Sequence, residues 1–319
     1  MVTIKDVAQH AGVSVASVSR YINNRGYVRV QTGEKIAIAI KELNYVPNEI
    51  ARSLSQKKSK LIGVLLPDIT NPYFPLIAKG IEETLIKNGY MMLLANTADS
   101  TKQLNQYMTT FAQNNVSGII TALPIEPLEN MIVVGVDRVY DSHINTVLPD
   151  DYLGGRLIGE KLLTTTFNNI LIITGDLSFE SAKNRLNGLL DVIDKETSSY
   201  EIYESLSFNV SDIDTISSVF FEKYKHVDTL VASNDYLALK MMQKAQQLGL
   251  SIPKDLQIIG YDGIPFTEMT YPKLTTIKQP AYELGKKTAE VMIEALSGST
   301  AEIKEYILPV ELQNGESLR

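Results

Sequence analysis

The sequence predicts an α/β protein in which a three-helix, helix-turn-helix module stands ahead of a larger core of parallel sheets. Three observations carry that prediction. The charge is split: residues 1–60 hold ten Lys and Arg against four Asp and Glu, net +6, while residues 61–319 hold 20 against 33, net −13, within a total of −7. Small apolar residues at helical spacing, interrupted by Gly12-Val13-Ser14, open the chain. Past residue 60, near-continuous apolar segments alternate with amphipathic ones.

A chain of 319 residues with 44% hydrophobic and 21% charged residues has the composition of an ordinary globular protein of about two domains, which excludes disorder, collagen and coiled coil as whole-chain descriptions. The chain has no cysteine, so disulfides, thiol nucleophiles and cysteine-ligated metal sites are excluded. Only His10, His143 and His226 remain as soft ligands, and no metal or cofactor is expected. The opening Met-Val-Thr-Ile-Lys-Asp is too polar for a signal peptide, and no apolar run reaches the roughly 18 residues a membrane span needs. A cytoplasmic protein is expected.

In the basic module, Thr3 is placed to cap a helix whose inner face carries Ile4, Val7, Ala8 and Ala11. Gly12 permits a left-handed turn residue, and Ser14 caps a second helix. Val13, Val18 and Ile22 fall where they pack back on the first helix, leaving Val15, Ala16, Ser17 and Arg20 outward near the start of the second. That is the face a recognition helix inserts into the major groove. Arg20 suits O6 and N7 of guanine, Val15 and Ala16 suit thymine methyls, and Ser14, Ser19 and Asn23 are short phosphate donors. A third helix is predicted over 32–43, with Ile36, Ile40 and Leu43 inside. Charge alone leaves a chance-basic helical segment as an equal alternative; the motif favours DNA.

In the acidic module, strands are predicted at Leu61–Pro67, Met91–Ala95, Gly118–Thr121, Ile132–Val136, Ile170–Thr174, Thr229–Ala232 and Gln257–Gly260, with a helix over Pro75–Asn88. Strands apolar on both faces imply parallel sheets covered on both sides. They are too many for one compact lobe, so two α/β lobes are expected.

Thr3-Ile-Lys-Asp-Val-Ala, the Ala11-Gly-Val-Ser…Val18-Ser-Arg helix pair and Tyr45-x-Pro-Asn-x-x-Ala-Arg-Ser-Leu resemble the lactose/galactose repressor family in order and spacing. The resemblance covers essentially the whole chain. It implies a DNA-binding domain over 1–46, a hinge helix and linker over 47–60, and a periplasmic-binding-protein-like core over 61–319. The N-lobe would take about 61–149 and 281–309, the C-lobe about 150–280 and 310–319, with crossings near Asp150, Pro280 and Pro309. The hinge is barely two turns, too short to be a stable helix alone, so it should order only on DNA and a partner protomer. With Thr3, the family pattern adds Tyr45, Asn48 and Arg52 to the expected DNA contacts and makes Leu54 the minor-groove wedge. A homodimer on a pseudo-palindromic operator is the expected assembly. Gly33 departs from the family, where an arginine is usual; a weaker phosphate contact or a weaker third helix is expected.

Such a core binds its ligand between the lobes, at the carboxyl ends of the strands. The residues there are Asn71, Tyr73, Phe74, Asp137, Arg138, Arg185, Asn234, Asp262 and Gln279, together with Phe208. Amides, carboxylates and arginines give paired bonds to vicinal hydroxyls, and the aromatic rings Tyr73, Phe74 and Phe208 offer faces to a sugar. Taken one at a time, Asn234 or Asp262 also fits a helix cap, Arg185 a surface ion pair, and Phe208 a core residue. Together the set resembles that of bacterial ribose-binding proteins in type and order, which implies ribose or a related pentose or ketose. Only about ten residues, 122–131, separate the third and fourth strands, so the helix usual there should be shortened or lost. No Gly-x-Ser-x-Gly, Walker, Gly-x-Gly-x-x-Gly or His-Glu-x-x-His motif is present, and an acid/base pair of Asp137 and Asp262 would need a raised pKa in one of them. A sugar-controlled regulator, not an enzyme, is therefore expected. The alternatives are a catabolite regulator activated by a phosphorylated carrier protein and a purine or nucleoside sensor.

Overall fold

The structure is a computed structural model, and it describes residues 2–23, 26–46, 59–98, 100–125, 131–138, 143–193, 200–205, 210–298 and 302–319. Of the expected site residues, Asn48, Arg52, Leu54 and Phe208 lie outside the described residues, as does most of the expected hinge. The chain divides into two units, Met1–Ser59 and Lys60–Arg319.

The first unit holds α1 (Ile4–Ala11), α2 (Val15–Ile22) and α3 (Val30–Glu42). Thr3 caps α1 in a capping box: its hydroxyl accepts from the Asp6 N–H, and the Asp6 carboxylate accepts from the Thr3 N–H at 2.7 Å. Gly12 takes φ +65°, a value that costs glycine little, and its N–H reaches Ala8 and Gln9 carbonyls; Ser14 then caps α2. Val7, Ala8, Val18, Ile36 and Ala39 form the small core, with Val13, Tyr21, Ile22, Ile40 and Leu43 packed around it. His10 meets Glu42 at 2.7 Å, tying the end of α1 to the end of α3. The third helix starts at Val30, two residues before the expected Thr32. Gly33 is buried, and a Cβ there would stand 3.1 Å from the Tyr21 ring. The glycine costs helix propensity but lets Tyr21 seat against α3.

The second unit is two sheets with helices on their faces. One sheet orders its strands β11-β5-β4-β3-β1-β2, from β1 (Leu61–Leu66), β2 (Met91–Asn96), β3 (Gly118–Thr121), β4 (Ile132–Val136), β5 (Asn145–Pro149) and β11 (Glu305–Leu308), all parallel. The other orders β12-β10-β9-β8-β6-β7, from β6 (Ile170–Thr174), β7 (Tyr200–Glu204), β8 (Thr229–Val231), β9 (Gln257–Asp262), β10 (Thr275–Lys278) and β12 (Glu311–Gln313); only β12 runs antiparallel. The chain leaves the first sheet after β5, returns after β10 and leaves again after β11.

Each lobe is closed by a helix pair in close contact. In the N-lobe α4 (Tyr73–Lys87) meets α10 (Ala281–Leu296), and in the C-lobe α6 (Asp151–Leu162) meets α7 (Glu180–Ile193). Both crossings use reciprocal glycines. A Cβ at Gly80 would stand 2.1 Å from the Tyr282 carbonyl oxygen and one at Gly285 2.0 Å from that of Ile77; Gly155 and Gly188 repeat the arrangement against Arg185 and Tyr152. The remaining helices are α5 (Thr101–Gln113), α8 (Val210–Lys223) and α9 (Asp235–Gln247), with a 3-10 turn at Pro265–Met269. Residues 122–125 and 131, the described part of the short β3–β4 connection, hold no helix. Among the described residues no helix is long and apolar enough to cross a membrane.

Candidate functional site

The carboxyl ends of the strands converge on a cavity of about 570 Å³ between the lobes. All nine described residues of the expected ligand set line it: Asn71, Tyr73, Phe74, Asp137, Arg138, Arg185, Asn234, Asp262 and Gln279. Asn71 follows β1 and its carboxamide oxygen accepts from the Tyr73 N–H at 3.1 Å, starting α4. Asp137 follows β4 and Asp262 ends β9; Gln279 sits at the crossing after β10. Asp137 has φ +69° and Asp262 φ +119°, left-handed conformations that β-carbon-bearing residues rarely adopt. Strain held at two facing carboxylates marks the point where the backbone is bent to serve the cleft.

A line of hydrogen bonds runs across the cleft. Tyr73 Oη donates to Asp137 Oδ1 at 2.5 Å and lies 3.2 Å from Gln279 Oε1; Gln279 Nε2 donates to Asp262 Oδ1 at 2.8 Å. Tyr73 therefore acts differently from the expected stacking face: it is buried, its hydroxyl joins this line, and burial beside Asp137 pushes its pKa well up. Phe74 packs edge-on to Tyr73 at 5.2 Å. Arg138 pairs with Asp137 at 3.4 Å and lies 6.0 Å from the Phe74 ring and 5.2 Å from Phe179, an aromatic residue of the opposite lobe absent from the expected set.

On the C-lobe side, Arg185 Nε donates to Asp151 Oδ1 at 2.6 Å while its guanidinium lies 3.8 Å over the Tyr261 ring. Tyr261 Oη donates to the same Asp151 oxygen at 3.3 Å. Burial pushes the Asp151 carboxyl up to about 6, and Arg185 holds it from rising further; burial opposes the Arg185 charge too, but Asp151, Tyr261 and Asp262 together outweigh it and raise that pKa. Burial likewise pushes Asp262 up to about 7 against the pull of Arg185 and the bond from Gln279. Asn234 caps α9 by accepting from the Leu237 N–H at 2.8 Å, so it serves as helix cap and cleft wall at once. Its neighbour Asp235 accepts from Thr276 Oγ1 at 2.5 Å and from the Ile264 N–H at 2.8 Å; burial, then Asp262, push its pKa well up. Leu123 and Pro124 bring the short β3–β4 connection to the cavity edge as apolar wall.

In the head, Val15, Ala16 and Arg20 are exposed on one side of α2. Ser14 Oγ lies 2.9 Å from Ser17 Oγ and accepts from the Ser17 N–H, so both hydroxyls take part in the cap. Asn23, expected as a phosphate donor, has its amide nitrogen donating to the Ser19 carbonyl at 2.8 Å and 3.3 Å from Ser19 Oγ. Tyr45 packs partly buried against the head core, and its N–H reaches the Ile40 carbonyl.

A helix-turn-helix head followed by a two-lobed core with a polar cleft defines a class of proteins in which a ligand-binding core is joined to a DNA-binding module. Residues 3–48 match the family described as bacterial regulatory proteins, lacI family, and residues 160–318 match the periplasmic binding protein-like domain. The ribose operon repressor of Bacillus subtilis (strain 168) is 40% identical over 298 residues, covering 92% of this chain and 91% of that one. Among solved structures, the lac repressor dimer bound to operator and the anti-inducer ONPF aligns with a TM-score of 0.86 at 26% identity, covering 99% of this chain and 98% of that one. A periplasmic binding protein/LacI transcriptional regulator from Alkaliphilus metalliredigens QYMF, complexed with D-xylulofuranose, aligns at 0.75 and 30% identity over 82% of this chain and 100% of that one. The chain belongs to the lacI family of bacterial transcriptional regulators, a family without catalytic activity. The raised Asp262 is thus a buried carboxyl of the cleft wall and not half of a catalytic pair.

Proposed function

We propose that this chain is a cytoplasmic repressor of a sugar-utilisation operon, a homodimer whose affinity for a pseudo-palindromic operator is set by ribose or a related pentose or ketose bound in the core cleft. The observation that carries this reading is the meeting of nine polar and aromatic residues from both lobes around one cavity. Asp137 and Asp262 accept from vicinal hydroxyls, Gln279 both accepts and donates, Arg185 and Arg138 donate, and Phe74 flanks the ring. Four carboxylates lining the cavity, Asp68, Asp137, Asp176 and Asp262, against two arginines favour a neutral sugar over a phosphorylated one. The names of the similar repressor, for ribose, and of the similar structure, with D-xylulofuranose, support the pentose class.

The dimer reading is supported by apolar side chains left exposed on both lobes: Ile86, Met91 and Leu94 around the edge strand β2, and Phe266, Met269 and Tyr271 around the 3-10 turn. A sugar that draws the lobes together would act on DNA through the segment joining head to core. Control of this kind needs the sugar to prefer one state, by typically 1–3 kcal/mol of coupling. Titration calorimetry with ribose and other common sugars, paired with retention of operator DNA, tests the reading. Heat on ribose addition with altered retention is the expected result; no heat from any sugar and no change in retention overturns it.

A further inference from the structure

In the C-lobe sheet the register pairs Ile172 with Val231 and Val231 with Ile259, all three facing α6 and α7. Two residues further along each chain segment stand Thr174 at the end of β6, Ser233 just past the end of β8, and Tyr261 in β9, and all three line the cleft. Tyr261 is covered by Arg185 and bonded to Asp151. Thr174 and Ser233 have neither arrangement. Thr174 is 6% exposed, both hydroxyl oxygens are buried, and neither has a hydrogen-bond partner among the described residues. Both nonetheless line the cavity, beside Arg185 and above an apolar floor of Ile172, Val231 and Leu189.

An unmatched buried hydroxyl costs stability, and two side by side in a ligand cleft are a cost the fold bears only if something hydrogen-bonds to them. We propose that Thr174 and Ser233 form a hydroxyl-recognition subsite, in which one hydroxyl of a neutral sugar enters between them, donating to one and accepting from the other. This rests on the sugar-sensor reading of the cleft and adds to it a specificity element on the β6–β8 floor. A site built to bond a hydroxyl rejects the analogue that lacks it far more strongly than an apolar pocket rejects an extra methylene. The subsite therefore selects among sugars by the position of a single hydroxyl.

The test uses the full-length protein with D-ribose and a series of singly deoxygenated riboses, comparing wild type with Thr174→Val and Ser233→Ala. Thr174→Val keeps the shape and removes only the unmatched oxygen. The expected result is a tenfold or greater loss of ribose affinity in each variant, with the melting temperature of the sugar-free protein unchanged or raised. One deoxy analogue should bind wild type weakly and Thr174→Val no more weakly, because the missing partner is the same. Variants that bind ribose as wild type does overturn the subsite, as does a loss of affinity equal for every analogue and accompanied by a lowered sugar-free melting temperature. If wild type binds no sugar of the panel, the sugar-sensor reading itself fails and the subsite with it.

Discussion

In the head, the side chains expected to read DNA, Val15, Ala16 and Arg20, stand exposed on α2 while Val18 on the opposite side of the same helix is wholly buried in the core. In the cleft, Asp137, Asp262 and Gln279 are each about 95% buried, and the groups that would grip a ligand already grip one another. The head separates recognition from stability by helical periodicity: one face holds the fold and the other is free to vary. The core merges them, because its site lies where two lobes meet and, apart from the Thr174 and Ser233 hydroxyls, its buried polar side chains bond one another when no sugar is bound. Substitutions at the two sites should therefore fail in different ways, and the size of the difference measures how far the contrast holds.

The largest effect is expected at Arg185. Arg185→Ala removes the partner of Asp151, leaving a buried carboxylate with only the long Tyr261 bond, and takes the guanidinium off the Tyr261 ring. Breaking one side of such a pair costs on the order of 3 kcal/mol. The melting temperature should fall and sugar binding should be lost together. Retained stability with lost binding would mean that Arg185 is as separable as a head residue, and the contrast would collapse.

Arg20→Ala is the matching change in the head. It should leave the melting temperature where it was, because Arg20 is exposed, and cost roughly 1–3 kcal/mol of operator binding while relaxing preference at one base pair. Binding to operator variants at fixed salt reads this directly. An equal loss on random DNA would make Arg20 a phosphate contact.

What the sequence disclosed follows the same division. Strands β1, β3, β4, β6 and β8 are legible because they are buried on both faces, and a parallel strand so placed must be apolar throughout. The edge strands β7 (Tyr-Glu-Ile-Tyr-Glu) and β12 (Glu-Leu-Gln) give no such signal, since one side needs no covering. The strand-end rule brought nine cleft residues together because strand ends are visible in the sequence. Asp151 and Phe179 escaped it: one matters through Arg185, 34 residues later, and the other sits in a loop with no period to mark it. Thr174 ends β6 and Ser233 stands two residues past the end of β8, but a hydroxyl at a strand end means nothing until its partners, or their absence, are seen.

A smaller effect should appear on changing pH. Asp262, held near 7 by burial instead of the usual 3.8, binds a proton in the folded core that the unfolded chain has released. This carboxyl's contribution to the folded, sugar-free core is therefore full below about pH 4 and is lost progressively as pH rises from there through 7. Sugar hydroxyls donating to Asp262 favour the carboxylate. Ribose affinity should accordingly rise roughly tenfold from pH 6 to pH 8, with proton release seen as a dependence of binding heat on buffer ionisation enthalpy. Asp262→Asn should bind more weakly and with a flat profile. A flat profile in wild type would mean that the sugar leaves Asp262 as it finds it. No comparable profile is expected for binding of operator by the head in the absence of sugar.

The smallest expected effect tests whether the head separates its roles as cleanly as its helix faces suggest, and it falls on Ser14. This residue is both an expected phosphate contact and the cap of α2, accepting from the Ser17 N–H at 3.2 Å. Losing the cap costs about 1 kcal/mol. Ser14→Ala should speed amide exchange in α2 of the full-length protein and weaken DNA binding. Ser14→Asp discriminates the causes, because aspartate caps as well as serine and its charge suits a helix N-terminus, yet it repels phosphate. Protected α2 amides with weakened DNA binding in Ser14→Asp would make Ser14 a contact as well as a cap. Full recovery of DNA binding in Ser14→Asp would make it a cap alone, and the head would then keep its stabilising and DNA-reading side chains on different residues throughout α2.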